Sequence, residues 1–101
     1  MGLPTDAVPY KRTREFDQDT VPAGLLREHS TKAGVWGRIV VTHGRLILRV
    51  PGQATVVLTA GESAIAEPEQ LHEVEPDGEV RFHVEFLRVG GPDGPGSGRQ
   101  V

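Results

Sequence analysis

The chain has 101 residues, a formal net charge of −3 and no cysteine. That length suits one domain with a modest core. Without cysteine there are neither disulfides nor thiolate metal ligands. Acidic and basic residues are interspersed without a basic patch, so no nucleic-acid partner is expected. No apolar run approaches the roughly 18 residues of a membrane span, so no membrane partner is expected either. Met1 to Tyr10 lacks a signal pattern, and the expected location is cytoplasmic.

Thirteen glycines and eight prolines indicate many turns and disfavour long helices. Residues 1–8 read as a flexible N-terminus. Tyr10 to Thr13 suits a short edge strand, and Asp17 to Thr20 a loop. Ala23 to Ser30 reads as the first main strand, with Leu25, Arg27 and His29 sharing a face. Thr31 to Gly34 reads as a turn, with Gly34 suited to positive φ. Val35 to Thr42 is the clearest strand, through its β-branched run Ile39-Val40-Val41-Thr42. His43-Gly44 sits where a two-residue hairpin turn belongs. Arg45 to Val50 alternates in polarity like a half-buried antiparallel strand, and Pro51-Gly52 closes it. Strands follow at Thr55–Thr59, Ser63–Ala66 and Leu71–Glu75. Pro76-Asp77-Gly78 reads as a turn before a last strand, Val80–Val89. This makes roughly seven or eight short strands, the signature of an antiparallel barrel or sandwich with no helix beyond about two turns. Residues 90–101, rich in Gly and Pro, read as a disordered tail.

Two histidine stretches stand out. One is His29-Ser-Thr-Lys-Ala-Gly-Val-Trp-Gly37. The other is Glu67-Pro-Glu-Gln-Leu-His72-Glu-Val-Glu75. With the glycine turn, β-branched strand and alternating strand between them, they resemble a small single-domain cupin. More specifically they resemble the tellurite-resistance-like family, which occurs alone and fused to a methyltransferase domain. The likeness covers roughly residues 9–89. It implies an all-β cupin barrel, or jelly roll, often with a divalent metal site, and no settled activity for standalone members. A link to oxyanion stress rests on the family name alone. The chain departs from the usual cupin metal pattern. Arg27 stands two residues before His29, where a second histidine is expected, and Ala33-Gly34 offers no carboxylate.

His29 and His72 are the best ligand pair, because neutral imidazole suits Zn²⁺, Fe²⁺, Ni²⁺ or Cu²⁺. A third ligand is needed. Glu85 is the choice, although parity with Phe82, Val84 and Phe86 places it outside unless a bulge intervenes. Glu75 is the weaker option, beside a turn. Arg27 shares the face of His29 and could hold an anionic ligand. Trp36 could line a pocket mouth or pack in the core. His43 and His83 read as surface residues. Three functions of different class follow. One is a metal-binding cupin that takes a small anion or metabolite. Another is a metal-dependent dioxygenase or isomerase. The third is a metal-free dimeric binding module. A homodimer is expected because Ile47, Val57 and Leu87 put apolar groups on outward faces.

Overall fold

The computed structural model describes residues 3–27 and 30–89. His29 and the tail from residue 90 lie outside the described residues. Six strands form one sheet. They are β1 (Ala7–Arg12), β2 (Phe16–Asp17), β3 (Trp36–Arg49), β4 (Val56–Thr59), β5 (Ser63–Ala66) and β6 (Glu73–Val89). The two long strands, β3 and β6, pair antiparallel at the centre. β1 and β2 lie on the outer edge of β6, while β4 and β5 share the outer edge of β3. The all-β, cupin-like architecture agrees with the sequence reading. The edge strand starts at Ala7, where the sequence suggested a flexible arm to residue 8.

Both long strands run through segments that read as turns. His43-Gly44 lies inside β3, and Pro76-Asp77-Gly78 lies inside β6. The ladder shows why. Val41 pairs with Phe82 and His43 with Arg81, so Thr42 is an extra residue on β3. Gly44 pairs with Val80 and Leu46 with Pro76, so three residues of β6 oppose Arg45 alone. The turn-forming residues are therefore spent on opposed bulges, which bend a strand pair without ending it. Proline is tolerated at such a place because the ladder is already interrupted. Gly44 adopts φ +76°, and a Cβ there would collide with the Glu79 carbonyl.

The bulges also set the inside and the outside. Gly37, Ile39 and Val41 are buried, Thr42 and His43 are both exposed, and burial resumes at Leu46 and Leu48. One extra residue switches the inward parity from odd to even, since side chains alternate with period two. Without that switch Leu46 and Leu48 would face water. Residues from both ends of β3 and β6 pack with Phe16 and Leu58 in one core, so the bent pair closes on itself. The outer face of the same pair is charged. Arg38 donates to Glu85 at 2.9 Å, Arg45 lies 3.1 Å from Asp77, and Arg49 lies 2.6 Å from Glu75 and 3.4 Å from Glu73. Arginines of β3 thus meet carboxylates of β6, and two of these pairs sit directly opposite in the ladder.

Two further expectations are corrected. Ala23 to Ser30 does not begin as a strand, because Ala23–Leu26 is a single 3-10 turn. Pro22, at φ −60°, starts it, and Leu25 N–H donates to the Pro22 carbonyl. Leu25 packs onto the core from this turn, so its spacing from Arg27 carries no strand meaning. Leu87, read as part of a dimer face, is only 1% exposed within its own chain. It sits between Trp36 and Pro9 in the ladder. Val57 is exposed, as expected.

Candidate functional site

The interior is not filled at one end. A pocket of about 240 Å³, partly enclosed, lies between the 3-10 turn, the first half of β3, β5 and the second half of β6. Its walls are apolar: Phe16, Leu25, Ile39, Val74, Phe82, Val84 and Phe86. Gly37 and Ala66 face each other in the β3–β5 ladder and also line it. A Cβ on Gly37 would meet Ala66 Cβ at 3.6 Å, an ordinary contact. Small side chains at these two neighbouring positions leave the space that larger ones would take.

Three lining side chains are polar. His72 is 5% exposed and is the one buried polar residue among those described. Its Nδ1 lies 3.0 Å from the Gln70 carbonyl. A carbonyl only accepts, so Nδ1 carries the hydrogen and, in the neutral ring, Nε2 carries the lone pair. Thr31 Oγ1 donates to the Val35 carbonyl at 2.7 Å. Thr13 Oγ1 donates to the Arg14 carbonyl at 2.8 Å and accepts from Val84 N–H at 3.0 Å.

The turn before His72 is tightly fixed. Gln70 Oε1 accepts from Glu67 N–H, and Gln70 N–H donates to the Glu67 carbonyl. Glu69 takes φ +63°, a conformation unfavourable for a residue with a side chain. Glu69 N–H also donates to the Thr31 carbonyl, and Thr31 bridges Pro68. The two histidine stretches are therefore tied together by backbone, beside the pocket.

The other candidates fall elsewhere. His29 lies outside the described residues. Arg27 is exposed at the end of the 3-10 turn, and Trp36 is half-buried opposite Leu87. Neither lines the pocket. Glu85 is corrected as a partner of His72. The pocket takes the even positions Phe82, Val84 and Phe86, so Glu85 points to the opposite face of β6, where Arg38 holds it. No bulge reverses it, because the β3–β6 register is regular from Trp36–Leu87 to Val41–Phe82. Glu75 is held by Arg49. His43 is exposed, as expected. His83 is more covered than expected, at 13% side-chain exposure, with Nε2 at 3.6 Å from Glu85. Thr13, Thr31 and Ala66 were not singled out in the sequence, and only Thr31 carried a signal, through its place in the first histidine stretch.

The fold invites a metal, and the donor set tests it. A histidine whose Nδ1–H is held by a backbone carbonyl presents Nε2 in the manner of a metal ligand. Yet among the described residues no three His, Asp or Glu side chains come together as a metal group. One imidazole does not make such a centre, so the described residues by themselves do not fit one. Also among the described residues, no helix is long and apolar enough to cross a membrane.

Comparison with known proteins agrees with this architecture. Residues 11–84 match the TehB-like domain family. A protein from E. coli K12 has a similar structure, with TM-score 0.81 and 23% identity over 88% of this chain and 97% of its own. TehB from Haemophilus influenzae superimposes with TM-score 0.79 and 22% identity over 87% of this chain. This chain spans only 33% of that TehB. A cupin protein from Bacteroides fragilis matches with TM-score 0.56 and 14% identity, covering 90% of this chain and 83% of its own. Identities this low carry the fold alone. None of the curated proteins matches the sequence. The family match spans most of the chain, including the fixed turn and His72, and the chain belongs to the TehB-like domain family.

Proposed function

We propose that the domain binds a small, largely apolar molecule, about one ring in size, inside its barrel. The observation that carries this reading is the pocket of about 240 Å³ lined by aliphatic and phenyl groups around one buried histidine. An apolar cavity of about 150 Å³ is enough to bind benzene. This pocket is larger, and His72 forms part of its wall. Among the described residues no arginine or lysine lines it, which favours an apolar metabolite over the small anion expected at first. The test is an amide NMR titration of the labelled protein with toluene. Resonances of Thr31, Gly37, Ala66 and Val84 should shift and saturate. Gly37→Val and Ala66→Leu should abolish the shifts while keeping a dispersed spectrum. A parent spectrum unmoved up to the solubility of toluene would overturn the reading.

A second reading keeps the divalent metal (Zn, Fe or Ni), with His72 and His29 as ligands. The held Nδ1–H of His72 favours it. Calorimetric titration with Zn²⁺ tests it. His72→Ala should lose binding and His43→Ala should not. Affinity should fall below about pH 6.5, where imidazole protonates. Equal binding by the His72→Ala protein would exclude this site. A homodimer remains part of the proposal. Val56 and Val57 are 44% and 48% exposed on the edge strand β4, which a partner would cover. A sedimentation mass of one chain at micromolar concentration would remove it.

A further inference from the structure

The edge strands of the sheet are not alike. β1 carries Pro9, Lys11 and Arg12, and its register breaks at Tyr10. β2 is two residues long. Proline, cations, bulges and shortness are what keep an edge from pairing with another chain. β5 is flanked by Glu62 and Glu67, so two copies paired antiparallel through its middle would set these carboxylates against each other. β4 has none of these guards along its length. Residues 50–61 carry no charge, although 25% of the chain is charged. β4 pairs with β3 on one side, and no other described strand pairs with it.

The hydrogen bonds of the last β4 residue show which way the strand faces. Thr59 N–H donates to Glu62 Oε1 at 2.8 Å, and the Thr59 carbonyl accepts from Glu62 N–H at 2.9 Å, so neither is spent on β3. In an antiparallel ladder, residues two apart present these groups to the same side. Val57 N–H and C=O therefore point away from β3, to the open edge. Val57 and Val56 are also among the most exposed large apolar side chains. Beside them a groove of about 160 Å³, lined in part by Val50, Val56, Ala64 and Ile65, continues the apolar surface. The stretch Thr55-Val56-Val57-Leu58-Thr59 reads almost the same in both directions. That suits a two-fold contact, in which one patch must match itself. We infer that two copies of this chain join antiparallel through β4, with Val57 at the two-fold axis. Val57 N–H of each copy then donates to the Val57 carbonyl of the other. The Glu62 carboxylate caps Thr59 and ends the ladder there, so the side chains of Val56 and Val57 supply the rest of the contact. This rests on the homodimer reading above and names its surface.

Sedimentation of the parent at micromolar concentration should give twice the chain mass. Val57→Lys, which puts a cation on this edge as on β1, should give the mass of one chain. Cross-linking tests the geometry independently. The chain has no cysteine, so a single introduced thiol reports one position. Facing Cα atoms in a hydrogen-bonded antiparallel pair lie about 5.5 Å apart, within the roughly 4.4–6.8 Å that a disulfide spans. Val57→Cys should therefore oxidise to a linked dimer at least tenfold faster than Tyr10→Cys, whose site on β1 is as exposed, at 47% against 48%. If Val57→Lys fails to keep a dispersed amide spectrum, the two cysteine variants decide alone. A parent dimer that survives as a dimer in folded Val57→Lys, or a Val57→Cys protein that links no faster than Tyr10→Cys, overturns the inference and leaves the homodimer on another surface. A parent that sediments as one chain removes the homodimer and this inference with it, and leaves the β4 edge to a strand of a different protein.

Discussion

The two ends of the β3–β6 pair use the same strands to opposite purposes. Beyond the bulges, Leu46, Leu48 and Leu58 fill the interior, with Val80 at the bend. Before them, Gly37 and Ala66 occupy the corresponding inward places and leave a pocket. The full end supplies stability, and the open end gives up packing contacts for a binding surface. A fold this small has little core to spare, so the loss at one end must be offset at the other.

Four measurements break or sharpen that contrast. The largest effect is expected at the bend between the ends. Gly44→Ala puts a Cβ into the Glu79 carbonyl at φ +76°, where even without a collision alanine is strained. It should lose at least about 3 kcal/mol of stability in urea denaturation. A loss below about 1 kcal/mol would mean that the bend is not held by Gly44.

At the full end, Leu46→Ala should cost roughly 2–5 kcal/mol, as a cavity opens in a side chain with no exposure. At the open end, Gly37→Ala should be neutral or stabilising by up to about 1 kcal/mol, since its Cβ meets only ordinary contacts. Thermal melts of the two variants side by side test the contrast. If both lose stability alike, the open end is packed after all.

On the outer face, Glu85→Gln leaves half-buried Arg38 without its carboxylate. The side chains are 33% and 21% exposed, so solvent screening holds the cost to about 1 kcal/mol. Toluene binding should not change, because Glu85 is on the other side of the sheet. Lost binding would return Glu85 to the site.

The smallest effect concerns acid. Asp17 Oδ1 accepts from Asp19 and Thr20 N–H, which holds its carboxyl below its ordinary value. A depressed folded-state value means stability present above the ordinary carboxylate range and lost as pH falls through the folded one. The parent should therefore show slightly more acid loss below about pH 4 than Asp17→Asn. Parallel acid-unfolding curves would show that the turn does not depend on this charge.

Much of the fold was legible in the residues. Alternation at Arg45–Val50, the β-branched run at Val40 and the strand Ser63–Ala66 appear where side-chain period predicts. Those signals are local, because an inward or outward preference is a property of each side chain. The sequence also marked His72 and the stretch around Thr31. What it could not settle was the use of its turn residues. His43-Gly44 and Pro76-Asp77-Gly78 have the composition of hairpin turns, and only their opposition across one ladder makes them bulges. The same holds for the pocket. Gly37 and Ala66 are unremarkable apart, and the space exists because register sets them side by side. Tertiary structure alone decided that, since a cavity belongs to residues distant in sequence, and no single stretch contains it.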